Sequence, residues 1–306
     1  MSQHASPAMQ QAATSVPTER GPDPDSPLRR PSDDPTLGDG AKPPTTLGWL
    51  PTLSLTDRRA LDAPAYVYES ELGARIARAL ESLDRPVATV TPAQPGRPAR
   101  PATPGGHPLV LHIASAPALD PATAASVDAT VRAYGPGATV VSSVDLTDHR
   151  AGAPEEVRDR VESLVSRSDV VLVTAADAEW LYPGLAAQDV ARGWLGSGPG
   201  VAIVTSAEGA WASNAVGSVA TAPRAGVPTG QTEVDGAFVA GVIDAMWKGA
   251  LLGVESRPDL RTLVWWSLQE LIDHGGAAAA ITARSEGKAL SRAELQTERG
   301  IPQLAS

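Results

Sequence analysis

PLVLHIAS at 108–115, ATVVSSV at 138–144, DVVLVT at 169–174 and GVAIVTS at 200–206 are four short apolar runs rich in Val, Leu and Ile. None alternates apolar with polar residues along its length, which is how a strand covered on both faces reads. Their starts recur about every 31 residues, the length of one strand-plus-helix unit. The segments between them, PATAASVDATVRAY (121–134), APEEVRDRVESLV (153–165) and GLAAQDVARGWL (184–195), have amphipathic helical spacing. The first two carry Pro at their start, suited to a first helical position. Apolar strands alternating with helices predict a doubly wound α/β sandwich, a parallel sheet with helices on both faces.

Downstream, AWASNAVGSVATAP (210–223) reads as a hairpin and GAFVAGVIDAMWKGALLG (236–253) as a helix. PDLRTLVWWSLQELIDHGG (258–276) reads as a second helix with His274-Gly275-Gly276 as its stop, and AAAAITA (277–283) as the start of another, buried one. Upstream, residues 92–107 form a Pro-rich linker with Pro at 92, 95, 98, 101 and 104, the three-residue period of polyproline II and a semi-rigid spacer. Residues 45–91 are a short block. TLGWLPTLSL (46–55), PAYVYES (64–70) and RPVATVT (85–91) read as strands, and ELGARIARALESL (71–83) as a helix with apolar positions 72, 76, 79, 80 and 83. The block is too small for its own core and is expected to pack on the domain at 108–306. Residues 1–44 hold nine Pro and almost no large apolar side chain, so burial cannot offset their ordering entropy and disorder is expected.

The 306 residues carry 25 Lys and Arg against 35 Asp and Glu, a net charge of −10, without the basic clusters of a nucleic-acid footprint. No apolar run approaches the roughly 20 residues of a membrane span. The opening MSQHASPAMQQAATSV has neither the basic start nor the apolar centre of a secretory signal. Zero Cys excludes disulfides, thiolate catalysis and Cys-based metal sites. These features predict a soluble, acidic, cytoplasmic protein.

In an open parallel sheet, ligands bind beyond the carboxyl ends of the strands. That directs attention to 114–117, 145–150, 174–177, 205–209 and the stretch TGQTEVDGAFVAG (229–241), which joins a loop to a helix expected to start near Gly236. A helix N-terminus offers unpaired N–H groups and a positive dipole end to an anion. Here the approach carries Glu233 and Asp235, and the plain structural alternative is an acidic helix start answering the dipole. His112, inside an apolar strand, reads as a core or sheet-edge histidine rather than a base. His149 reads as a solvated loop residue, Trp265-Trp266 as a core or subunit contact, and EEVRDRVES (155–163) as a solvated helix face. Ser206, Glu208 and Asp177 fall at strand ends without a nucleophile elbow.

Several stretches, in order, resemble the ribokinase-like (PfkB) carbohydrate kinases, closest to the fructokinase branch. LHIAS (111–115) resembles that family's LHFGS, VVSSVDLTDHR (140–150) its VSFDPNxR, and SDVVLVTAADAEWLYPG (168–184) its strand and acidic helix ending in WLYPG. GVAIVTSAEGAWA (200–212) is similar to VVVTLGxxGA, DGAFVAGVIDAM (235–246) to the catalytic GAGDAFxAGxL helix, and ITARSEGKALSRAEL (281–295) to VSRxGANPPTRAEL. Residues 43–70 resemble the family's sugar-covering lid, so the block 45–91 is expected as a remnant lid and helix. The resemblance implies a ribokinase-like sandwich with a reduced β lid and ATP-dependent phosphorylation of a sugar hydroxyl, fructokinase type. It also implies ATP and Mg²⁺ as cofactors, a fructose-like substrate and a homodimer.

The motifs are degenerate. The family's opening strand and GGxxxN sugar-binding segment have no counterpart ahead of the lid. The GAGD tetrad, which in the family forms the anion hole and supplies the base, aligns without gaps on Glu233-Val234-Asp235-Gly236. The resemblance then leaves Asp235, one residue out of register, as the base and Gly236 as the anion-binding helix start. Thr205 and Gly209 border the nucleotide, Lys288 replaces an ATP-side Asn, and Thr174 and Ala176 take the metal-side positions. Asp145 and Arg150 border the sugar, with the DPNxR match offset by one residue. Glu233 and Val234 enter the phosphate cradle. Phosphoryl transfer rests on positioning and charge stabilisation, and each carboxylate there would repel the phosphoryl charge by about 1 kcal/mol at 4 Å in bulk water, or about 4 at an effective dielectric of 20. A divalent cation held by Glu233 and Asp235 would reverse that sign. Residue chemistry therefore sets a second expectation beside weak or lost kinase activity: an inactive pseudokinase that binds a small molecule or a protein.

Overall fold

The computed structural model describes residues 63–93, 97–101, 106–147, 153–224, 231–285 and 289–299, all within the compact unit Trp49–Ser306. From the N-terminal side the chain builds β1 (Ala65–Tyr68), α1 (Glu71–Ser82), β2 (Val87–Thr91), β3 (Arg100–Pro101), β4 (Val110–Ala114), α2 (Ala124–Tyr134) and β5 (Thr139–Val144). There follow α3 (Pro154–Val165), β6 (Val170–Thr174), α4 (Ala175–Leu181), α5 (Ala187–Trp194), β7 (Val201–Ser206), β8 (Gly209–Ser213) and β9 (Ser218–Thr221). The helices α6 (Thr232–Lys248), α7 (Trp265–Arg284) and α8 (Arg292–Glu298) close the described chain.

The strands form one sheet in the order β3-β2-β1-β4-β5-β6-β7-β8-β9. The four apolar runs are its adjacent parallel strands β4 to β7, and the expected hairpin is the antiparallel pair β8–β9. One face packs α1, α6 and α7 around Ile76, Ile243 and Leu271. The other packs α3, α4 and α5 on β5 to β7, and α2 on β1, β2 and β4. Thus the doubly wound sandwich expected from periodicity is the observed architecture. Among the described residues no helix is long and apolar enough to cross a membrane.

The structure revises four expectations. The block read as a remnant lid places β1 and β2 inside the sheet, with β1 pairing in parallel to both β2 and β4. The physical reason is burial: all four residues of AYVY are covered, as an interior parallel strand demands. The linker, too, contributes β3 and a buried Ala99, whose N–H donates to Thr130 Oγ1 at 2.7 Å. The expected strand at 46–55 and the tail 1–44 lie outside the described residues.

The helix expected from Gly236 starts at Thr232, so Glu233 to Gly236 lie in its first turns rather than in a loop. Finally, His274-Gly275-Gly276 does not stop a helix; α7 runs through it to Arg284. Gly241 of α6 faces Gly275 and Ala278 so closely that a Cβ on Gly241 would stand 2.9 Å from the Gly275 Cα. These glycines set a helix crossing. Trp265 and Trp266, expected in a core or contact, are 50% and 38% exposed at the start of α7.

Candidate active site

The carboxyl ends of β5, β6 and β7 open onto a cleft whose far wall is the first turns of α6. The local chemistry at each strand end fixes the backbone. Ser115 Oγ donates to the Asp145 carbonyl at 2.6 Å and accepts from the Asp145 N–H at 2.9 Å, while Asp145 Oδ1 accepts from Thr147 N–H at 3.1 Å. Thr174 caps α4: its Oγ1 accepts from Asp177 N–H at 3.0 Å and donates to Asp177 Oδ2 at 2.6 Å. Asp177 Oδ1 also accepts from Leu146 N–H at 3.2 Å, tying two strand ends together. The β7–β8 turn needs Gly209. Its φ is +122°, and a Cβ would meet the Thr221 carbonyl oxygen at 2.0 Å.

Two cavities share this cleft. The first lies between the β7–β8 turn and the α6–α7 pair, and is lined by Thr205, Gly209, Arg224, Val234, Asp235 and Gly276. The second lies over β5 and β6 and is lined by Leu72, Ser143, Asp145, Thr174, Asp235 and Val239. Thr205, Asp235 and Phe238 line both. Asp235 is thus half-buried at the partition.

Of the residues anticipated from sequence, Thr205, Gly209, Val234 and Asp235 come together in the first cavity, and Asp145 joins Asp235 in the second. Val234 is buried among core side chains as well as lining the cleft. Glu233 departs from the expected cradle: it is exposed and accepts from Arg75 Nη1 of α1 at 2.8 Å. Gly236 is buried beneath the same residue, and a Cβ there would stand 2.7 Å from Arg75 Cβ. Lys288, Arg150 and His149 lie outside the described residues.

Sequence reasoning missed Arg75, Arg224 and Ser143. Arg224 follows β9, with Nη1 3.4 Å from Glu298 Oε1 and Nη2 3.4 Å from the Asp273 carbonyl. Among the described residues lining the first cavity it is the cation. Arg75 and Arg224 stand in no motif, Ser143 lies within VVSSVDLTDHR without being singled out by it, and the partners of all three are distant in sequence. Among the described residues no group of three His, Asp or Glu side chains is placed to hold a metal ion.

No family model matches this chain, and no curated protein does. Solved structures do. Fructokinase with bound ATP from Xylella fastidiosa matches with a TM-score of 0.61 at 14% identity, over 77% of this chain and 97% of that one. Aminoimidazole riboside kinase from Salmonella enterica matches with a TM-score of 0.55 at 14% identity, over 76% and 98%. Fructokinase from Vibrio cholerae O395, in its fructose, ADP and calcium ion bound form, matches with a TM-score of 0.53 at 13% identity, over 78% and 99%. The chain therefore has the ribokinase-like α/β fold of these sugar kinases.

Proposed function

We propose that this protein is a carbohydrate kinase-like protein of the PfkB type, in which Asp235 is the general base for phosphoryl transfer from ATP to a sugar hydroxyl. One observation carries the reading: Asp235 lines both cavities at their partition. A base for this reaction must touch the acceptor hydroxyl while facing the incoming phosphoryl group. The first cavity, with Thr205, Gly209 and Arg224, is the nucleotide side. The second, with Asp145, is the sugar side.

The anion site is compromised rather than erased. Gln231 at the N-cap of α6 makes no side-chain capping bond, so that side chain does not compete with a phosphate for the first-turn N–H groups. Arg75 neutralises Glu233 locally, so one of the two carboxylates anticipated in the cradle is answered. Asp235 remains close to where phosphate charge must sit. Mg²⁺ arrives on nucleotide phosphates and asks the protein for about one or two carboxylates. Among the described residues lining the first cavity Asp235 is the carboxylate that such an ion would meet; when bound, the ion would offset phosphate charge.

A second reading, a non-catalytic binding module, is favoured by Gly236 standing in the ungapped position of the family's aspartate. Calorimetric titration with ATP·Mg²⁺, followed by an ADP-release assay with D-fructose, separates the two. The kinase reading expects ADP release that Asp235→Asn lowers by 100-fold or more, on the order of a lost general base. No heat from ATP·Mg²⁺ and no turnover over a ketose panel would leave the binding module.

A further inference from the structure

Val110 and Ala114 of β4 and Val141 of β5 pack in the apolar cluster beneath α6. Alternation along the strands puts His112 and Ser143 on that same face. Ser143, 4% exposed, lines the second cavity among Leu72, Leu172 and Val239. His112 is fully buried, with Nε2 3.0 Å from Ser143 Oγ. Among the described residues its Nδ1 has no partner. Burial holds the imidazole neutral, its pKa pushed down to about 3, so a single proton is shared out between the two nitrogens. An orphaned N–H in a core is rarer than an orphaned lone pair. That places the proton on Nε2, donating to Ser143 Oγ. The Ser143 hydroxyl proton then has no claim from His112 and is left to donate into the cavity.

We propose that Ser143 is a substrate-recognition donor whose O–H meets an acceptor oxygen of a ketose or polyol lying on the apolar floor, and that His112 is the positioning residue that fixes its direction. The substrate class rests on the sugar-kinase reading; the donor direction rests on the buried pair alone.

Titration of the full-length protein with D-fructose, D-tagatose and D-sorbitol, without nucleotide, tests this. At least one binds the wild type, and Ser143→Ala weakens it by about tenfold, the worth of one hydrogen bond. His112→Leu gives a similar loss, and His112→Gln, whose amide N–H can serve the same oxygen, recovers most of it. Nitrogen-15 NMR of the wild-type imidazole reads the tautomer directly and keeps the test decisive if a variant fails to fold. An Nδ1–H tautomer, an unchanged affinity in Ser143→Ala, or no binding of any of the three by the wild type overturns the proposal. Sugar binding without ATP binding overturns the kinase reading and leaves this one standing.

Discussion

Asp235 and Gly236 are neighbours with opposite environments. Asp235 faces the cleft from the first turn of α6, whereas Gly236 is pressed under Arg75 of α1. An aspartate therefore has no ready room at 236, the position that aligns without gaps on the aspartate of the GAGD tetrad. A side chain there must displace Arg75 Cβ from 2.7 Å, and behind it lie the Arg75 carbonyl carbon and Ile76 N, each at 3.5 Å. Gly236→Asp is expected to destabilise the protein by about 1–3 kcal/mol, the cost of overpacking. Its melting temperature should fall, and no phosphoryl transfer should be gained over wild type. A gain of turnover with an unchanged melt would show that the base belongs at 236 and that α6 can slip in register. That Asp235 lies in the cleft was legible in the sequence, because the AFVAG anchor sets its place at the start of a helix beyond the strand ends. Arg75 was not: its partner Glu233 is 158 positions away, and nothing local marks the pair.

At the scale of elements, glycines make the point that position, not composition, sets the sign of a substitution. Gly241 of α6 meets Gly275 Cα, Ala278 Cβ and the His274 carbonyl, each at 2.9 Å from where a Cβ would stand, so two helix backbones touch there. Gly193 of α5 is exposed, with nothing within 4 Å of the same point. Gly241→Val is expected to cost about 1–3 kcal/mol by overpacking. Gly193→Ala should stabilise by about 0.5–1 kcal/mol through helix propensity. Paired urea melts check both; the same sign for the two would contradict the crossing. The strands β4 to β7 were readable because a continuous apolar run has few other destinations. α7 was not, because His-Gly-Gly is a stop signal locally and a packing surface only once α6 is opposite it. The same holds for β1 and β2, whose place inside the sheet is decided by pairing with β4.

For the whole molecule, the buried charges decide how it answers acid. At the end of α6 away from the cleft, Asp244 is fully buried and accepts from Arg85 Nε at 2.7 Å and His274 Nε2 at 2.8 Å, with Lys248 Nζ at 2.7 Å. This cluster ties the chain after α1 to α6 and α7, and Arg292 of α8 joins it with Nη1 3.8 Å from Asp244 Oδ1 while donating to the Leu83 carbonyl and to Asp84 Oδ2. Burial pushes the Asp244 carboxyl up, but the hydrogen bond from His274 and the charges of Lys248 and Arg85 outweigh it and hold the group below the usual carboxylate range. Its stabilising effect is present above the unfolded carboxylate value, about 3.9, and is lost only as pH falls further. The histidines act earlier. Burial lowers His274 and brings His112 down to about 3. From about 6.5 downward the unfolded chain takes up protons that the folded chain refuses, so stability falls with pH by about 1.4 kcal/mol per unit for each histidine in its window. Urea unfolding between pH 8 and 4.5 should therefore be flat above neutrality and decline below about 6.5. His112→Gln, which cannot titrate, should lose one proton's share of that slope. Approach to the isoelectric point near 5.0 relieves repulsion among the net −10 charges, but equally in both proteins, so their difference isolates His112. Parallel pH profiles for the two would mean that His112 takes up its proton in the fold as readily as in the unfolded chain, and the neutral imidazole assigned to the Ser143 pair would fall with it.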